Sequence, residues 1–263
     1  NILVAGANGL IGSAILRYLI SHNYKNLFYP DKQELNYLNI ENFLDYCFSK
    51  KINHMFFAAG KVGGILDNKN NQSKYLLDNT QLGLNALKVS KEVNLEKVVL
   101  FGSSCMYPIN ATQPYRENDL LSGALEETSL GYAISKLVLT QGANLINSEN
   151  SCKTFFLTVI PNSTYGPNDN FDPNSSHVLS ALINKIYNAK LYNKKNVNLF
   201  GTGKSMREFV YSDDVADAIF FLLQNLKEKP RSAINIGTSV EITIKNLAIE
   251  IAKIIGYNGN INF

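Results

Sequence analysis

Strand-length apolar runs alternate with helix-length amphipathic stretches along this 263-residue chain, and few architectures accept that pattern. Strand-like runs lie at Ile2–Ala5, Leu27–Tyr29, His54–Ala59, Lys97–Phe101 and Thr154–Ile160. Helical stretches lie between and after them, at Ser13–Ser21, Asn42–Ser49, Tyr75–Val93, Gly131–Asn147 and Ser176–Lys190. Residues 198–200, 213–226, 232–236 and 244–255 continue the series. Repetition of this kind predicts an α/β fold, a doubly wound parallel sheet with helices on both faces. In Tyr75–Val93, Leu76, Leu77, Thr80, Leu84 and Leu87 recur at helical spacing, more apolar positions than one sheet face covers. A loop-rich stretch from Pro161 to Ser175 holds Pro161, Gly166, Pro167 and Pro173, and is where the chain is expected to leave one subdomain for another.

Composition narrows the function classes. Apolar residues make up 45% and charged residues 18%, a globular balance. Lys and Arg exceed Asp and Glu by only three, with no dense basic block, so nucleic acid is not expected as a partner. Cys47, Cys105 and Cys152 form no CxxC pair, so neither a disulfide framework nor a metal site is expected, and a reducing cytoplasm is the default location. No apolar run approaches the roughly 18 residues of a membrane span.

Gly6-Ala7-Asn8-Gly9-Leu10-Ile11-Gly12 follows the first strand and opens the first helix. Glycines so placed allow a tight turn and a close approach to a pyrophosphate, which the helix N-terminus then binds. At the end of the second strand an acid would bond the 2′-hydroxyl of NAD, and a base would favour the 2′-phosphate of NADP. Pro30-Asp31-Lys32-Gln33 offers both.

Tyr132-Ala133-Ile134-Ser135-Lys136 puts a phenol and an ammonium one turn apart on a helix. Such an ammonium is expected to stabilise tyrosinate and draw the phenol's pKa down towards neutrality. The strand ending at Phe101 leads into Gly102-Ser103-Ser104-Cys105-Met106-Tyr107-Pro108, which places a hydroxyl where open parallel sheets bind ligands.

Glycine triplet, strand-end serine and Tyr-x-x-x-Lys together resemble the extended short-chain dehydrogenases/reductases, a Rossmann-like fold. Lys61-Val62-Gly63-Gly64-Ile65, Gly102–Pro108, Tyr165-Gly166-Pro167, Ser176-His177-Val178 and the run from Gly201 to Phe209 resemble the GDP-L-fucose synthase family within it, over the whole chain. The resemblance implies NADP(H), with Gly6, Asn8, Gly9, Leu10, Ile11, Gly12, Lys32, Asn39, Ala59, Phe101, Lys136, Pro161 and His177 around it. It implies Ser103 polarising a sugar C4 oxygen, Tyr132 protonating it and Lys136 tuning Tyr132. Cys105 and His177 match an acid/base pair that epimerises C3 and C5, where a ketone at C4 acidifies the carbon-bound protons. Inversion needs removal on one face and return on the other, and a thiol and an imidazole both titrate near neutrality. The substrate implied is a GDP-linked 4-keto-6-deoxy sugar, held by Ser104, Asn162, Lys185, Phe200 and Arg207, in a homodimer.

The resemblance also divides the chain. Residues 1–167, with 208–240 returning, would bind the dinucleotide. Residues 168–207 and 241–263 would form a smaller substrate-binding subdomain, in a family that continues about fifty residues beyond a point like Phe263. Nucleotide-sugar 4,6-dehydratases are similar but carry Asp and Glu after the catalytic hydroxyl, where this chain has Ser104 and Cys105. Other departures bear on the ligands. Asn8 replaces a basic residue, Lys32 and Lys185 each replace an Arg, Phe200 a Trp, and Ser163 the Asn before Tyr-Gly-Pro. A reductase-only enzyme acting on a GDP-4-keto-6-deoxy-heptose or a related capsule or O-antigen precursor therefore stays open, as does a C4 epimerase of the UDP-galactose type. A non-catalytic redox sensor would need cofactor binding but not Ser103, Tyr132 and Lys136.

Overall fold

The computed structural model describes residues 1–172 and 175–263; the expected linker residue Pro173 lies outside them. Six parallel strands form the central sheet: β1 (Ile2–Ala5), β2 (Leu27–Phe28), β3 (His54–Phe57), β4 (Lys97–Phe101), β5 (Phe155–Pro161) and β9 (Ile234–Ile236), in the order β2-β1-β3-β4-β5-β9. Ile2 pairs with Leu27 on one side and His54 on the other, and Phe101 pairs with Val159. The chain turns from building outward at β2 to building the other way at β3, so the loops after β1 and β3 diverge and open a crevice beyond the strand ends.

Strand alternation sends successive side chains to opposite faces. Leu3, Met55, Phe57, Val98 and Leu100 pack with α2 (Ile40–Ser49), α4 (Gln72–Glu92) and α5 (Leu130–Ser148). Val4, Phe56, Val99 and Leu157 pack with α1 (Leu10–Ser21) and α7 (Ser212–Asn225). Both faces are thus covered, which is why these strands read as unbroken apolar runs.

Segments after β5 and after β9 together build a second core. Leu182 and Ile186 of α6 (Val178–Leu191) pack on Leu247, Ala248 and Ile251 of α8 (Ile244–Ile255) and on Val197 of β7 (Asn196–Asn198). β11 (Asn260–Asn262) runs parallel to β7, while β8 (Met206–Tyr211) joins β6 (Ser163–Tyr165) and β10 (Glu241–Thr243).

Several elements depart from the sequence pattern. β8 gives no periodic signal, because Met206 and Arg207 are exposed and the strand exists through its neighbours' hydrogen bonds. A strand expected at 198–200 forms two residues earlier, where Val197 can face the second core. The short α3 (Ile65–Asn70) buries only Asn68, too little for an apolar period. On α4 the buried face is Tyr75, Asn79, Gly83 and Ala86, and Leu77, counted in the apolar stripe, is 68% exposed.

Candidate active site

The glycine loop fits a dinucleotide on its own geometry. Gly6 is left-handed (φ +78°), and a Cβ there would stand 2.8 Å from the carbonyl of Ala58, at the end of β3 beside Ala59. A Cβ on Gly12 would overlap the carbonyl oxygen of Gly6. The fold itself therefore demands those two glycines. Gly9 differs: the nearest heavy atom to a Cβ there is the Gly6 oxygen at 3.4 Å, ordinary contact. Gly9 caps α1 with no side-chain bond, and no acid stands in the first turn, so no side chain caps the amides that open the helix. A bare backbone at Gly9 before uncapped amides is what a pyrophosphate requires. The other expected contacts lie around this loop. Asn8 is exposed on it. One oxygen of Asp31 accepts the amides of Gln33 (2.8 Å) and Glu34 (3.0 Å), so this carboxylate is engaged in its own turn, while the neighbouring Lys32 is exposed. The side-chain oxygen of Asn39 caps α2 by accepting from Asn42 at 3.0 Å, which leaves its NH2 as a donor.

β4 and α5 assemble the second half of the site. Ser103 is extended at the end of β4 and caps the short turn Ser104–Met106, its oxygen accepting from the Cys105 amide at 3.3 Å. Tyr132 and Lys136 occupy the first turns of α5 and are buried, at 8% and 9% exposure. The Lys136 ammonium donates to the Phe101 carbonyl at 2.9 Å and lies 5.7 Å from the centre of the Tyr132 ring. The Ser103 hydroxyl and the Cys105 thiol both lie close enough to the Tyr132 phenol to influence its protonation.

The electrostatics correct one expectation. Tyr132 is pushed up, not drawn down: burial is the main cause, with Cys105 and Tyr75 acting the same way and only the Ser103 hydroxyl opposing. Burial also lowers Lys136, to about 8. Taking both groups out of water penalises phenolate and ammonium alike, and one of the ammonium's three donors goes to the Phe101 carbonyl. The result is a phenol that holds its proton, suited to donating one.

The remaining expected residues fall into two groups. Pro161 ends β5 against Ile236. Asn162 is committed to the protein: its NH2 donates to Glu208 at 2.7 Å and its oxygen accepts the Ser163 amide at 2.9 Å. Glu208 also accepts the backbone amides of Thr238 and Ser239, so it organises the turn after β9; the sequence pattern did not single it out. His177 stands exposed at the N-cap of α6. Lys185 lies 4.3 Å over the ring of Phe200, itself 86% exposed, and Arg207 is exposed on β8. The structure thus clusters Phe101, Ser103, Cys105, Tyr132 and Lys136, and brings Lys185 over Phe200 elsewhere. Tyr75 meets the Tyr132 ring, and Asn79, Asp67 and Asn68 hold the loop beside it; no motif in the sequence singles them out. The i, i+4 spacing of Tyr75 and Asn79 on α4 was their only signal.

Comparisons with known proteins agree with this geometry. The GDP-L-colitose synthase of Yersinia pseudotuberculosis is 39% identical over 258 residues, covering 98% of this chain and 83% of that protein. The GDP-L-fucose synthase of Escherichia coli is 36% identical over 270 residues, covering 100% and 83%. A solved structure of a GDP-mannoheptose C4 reductase from Campylobacter jejuni with NADP bound superposes with a TM-score of 0.86 at 30% identity, covering 100% of this chain and 87% of that one. None of the described helices is long and apolar enough to cross a membrane. The glycine loop, the switch in strand order and the buried Tyr–Lys pair all lie within residues 2–237, which match a single family model, and the chain belongs to the NAD dependent epimerase/dehydratase family.

Proposed function

We propose that this chain is an NADPH-dependent C4 reductase of a GDP-linked 4-keto-6-deoxy sugar that also epimerises C3 and C5. The observation that carries it is the placing of Ser103, a proton-holding Tyr132 and the Cys105 thiol around one point at the end of β4. The glycine loop, Lys32 and the NH2 of Asn39 would hold the dinucleotide, with Lys136 near its nicotinamide ribose. When bound, NADPH supplies a hydride. Ser103 then polarises the C4 carbonyl and Tyr132 gives its proton to the C4 oxygen as charge develops there. Protonated Lys136 steadies the phenolate left behind. Before reduction, a thiolate at Cys105 and the imidazole of His177 remove and return protons at carbons flanking the ketone.

NADP is favoured over NAD because Asp31 is engaged in its turn while Lys32 is exposed. The chain is read as two subdomains, 1–167 with 208–240 and 168–207 with 241–263. The separate core shared by α6, β7 and α8 supports that division. Lys185 and Arg207 of the second part suit a nucleotide diphosphate, and Phe200 offers a face for stacking. A reductase-only enzyme on a GDP-heptose is the second reading, favoured by the likeness to a GDP-mannoheptose C4 reductase. A panel of GDP-4-keto-6-deoxy hexoses and heptoses, followed by NADPH oxidation, separates them. Turnover of hexose substrates with product inverted at C3 or C5 supports the first reading. Turnover of heptoses alone, without inversion, supports the second, and no turnover of any GDP-4-keto sugar refutes both.

Protonation predicts a pH profile. Lys136 is a cation below its lowered pKa and neutral above it, whereas Tyr132 keeps its proton throughout the neutral range. The kcat/KM for reduction, which reports the free enzyme, is expected to fall as pH rises through about 8. A flat profile across that range would show that the ammonium is not required.

We also assign a homodimer formed through α4 and α5. Leu77 and Leu145 are each 68% exposed, on two helices that pack along each other, and Val138 of α5 is exposed too. Two copies meeting face to face would cover this surface isologously. Light scattering at micromolar concentration is expected to give twice the chain mass, and Leu77→Lys with Leu145→Lys to give one; a monomeric parent protein would exclude the assembly.

A further inference from the structure

The loop joining β3 to α3 contains Gly60, Gly63 and Gly64, a stretch whose free backbone is costly to hold in one shape. It is nevertheless held from several sides. Asn79 of α4 accepts from the Lys61 amide at 2.7 Å and donates to the Lys61 carbonyl at 3.0 Å. Asn68 donates to the carbonyls of Gly63 (2.6 Å) and Gly64 (3.1 Å). Tyr75 closes the grip: its hydroxyl donates to Asp67 at 2.7 Å, and a Cβ on Gly63 would overlap that hydroxyl and stand 2.5 Å from the Asp67 carboxylate. The second oxygen of Asp67 accepts from Asn71 at 2.7 Å.

The two ends of this grip lie at different parts of the site. The Tyr75 ring meets the Tyr132 ring edge-on, 6.2 Å between centres and 89° between planes. At the other end the Gly64 amide donates to the Ser175 carbonyl at 2.8 Å, and a Cβ on Gly64 would stand 2.5 Å from the Ser176 carbonyl oxygen, one residue before His177. A continuous path therefore runs from Tyr132 through Tyr75, Asp67 and the glycine pair to the backbone that presents His177.

We infer that Tyr75 and Asp67 are positioning residues, a strut that sets the imidazole of His177 relative to the phenol of Tyr132 by locking the Gly63–Gly64 loop between them. This rests on the reading of His177 as an exchange group. Tyr75 is not a second acid, because its hydroxyl is turned to Asp67, and burial with that carboxylate beside it holds the proton on. Its ring supports Tyr132, and its hydroxyl supports the loop. Removing the hydroxyl alone should therefore loosen the His177 end and spare the Tyr132 end.

Amide hydrogen exchange on the full chain without ligand, read by mass spectrometry, tests the strut directly. In Tyr75→Phe and Asp67→Ala, peptides spanning 60–66 are expected to exchange about fivefold faster, the worth of one hydrogen bond, with peptides of α4 beyond residue 80 unchanged. Asp67→Asn keeps a carbonyl acceptor and is expected to restore protection. In parallel, solvent deuterium uptake into a GDP-4-keto sugar should fall about tenfold in Tyr75→Phe, while reduction of an already epimerised substrate changes less than about threefold. Unchanged protection of 60–66 in both variants, or equal loss of deuterium uptake and reduction, would overturn the strut. If the parent protein takes up no deuterium, the epimerase reading falls instead, and amide exchange alone decides for or against the strut.

Discussion

Tyr132→Phe is expected to lose at least about a hundredfold in C4 reduction, the scale of a missing general acid, while leaving deuterium exchange at the sugar carbons largely intact. The phenol is the buried hydroxyl that the site brings beside Ser103 at the end of β4, while the buried Lys136 ammonium donates to the Phe101 carbonyl. Ser103 cannot replace it, because a serine hydroxyl is a much weaker acid than a phenol. The variant keeps the ring and therefore the edge-on contact with Tyr75, so α5 should hold its place. NADPH oxidation with pre-epimerised substrate measures the loss. A reduction rate within a few-fold of the parent protein would show that another group, or water, delivers the proton. Loss of reduction together with exchange would show that Tyr132 serves both steps, and that the division of labour is wrong.

The second large effect separates a bifunctional enzyme from a reductase. Epimerisation passes through an enolate at C3 or C5, so the proton returned comes from solvent. Reduction adds a hydride at C4 and touches no other carbon-bound hydrogen. With a 4-keto substrate in heavy water and no NADPH, the parent protein is expected to incorporate deuterium at C3, C5 or both. Cys105→Ser should abolish most of that exchange, because a thiol is a few per cent thiolate at neutral pH and a hydroxyl is not. The same variant should still reduce pre-epimerised substrate, since Ser103, Tyr132 and Lys136 remain. His177→Ala should likewise lose exchange. Reduction at C4 with no deuterium above background would assign the chain to C4 reduction alone, and leave Cys105 and His177 to substrate packing.

The local chemistry of this protein was legible in its residues because it rests on covalent proximity. Gly6, Gly9 and Gly12 stand between a strand and a helix, and Tyr132 and Lys136 one turn apart, whatever the rest of the chain does. Alternating apolar runs likewise determined a parallel sheet covered on both faces, since strands buried on two sides must be apolar throughout. The sign of the Tyr132 shift was not legible, because it depends on how much water the folded site admits, and burial outweighed the neighbouring ammonium. Asn162 read as a ligand-binding group and Asp31 as one of two alternatives for the ribose, but the fold bonds them to Glu208 and within a turn. The polar strand β8 and the short α3 exist only through partners remote in sequence. Sequence alone sets which groups are available and their spacing along one element. Tertiary contacts set which of those groups are desolvated, already bonded or left facing a ligand, because those conditions arise between elements and are encoded in none of them singly.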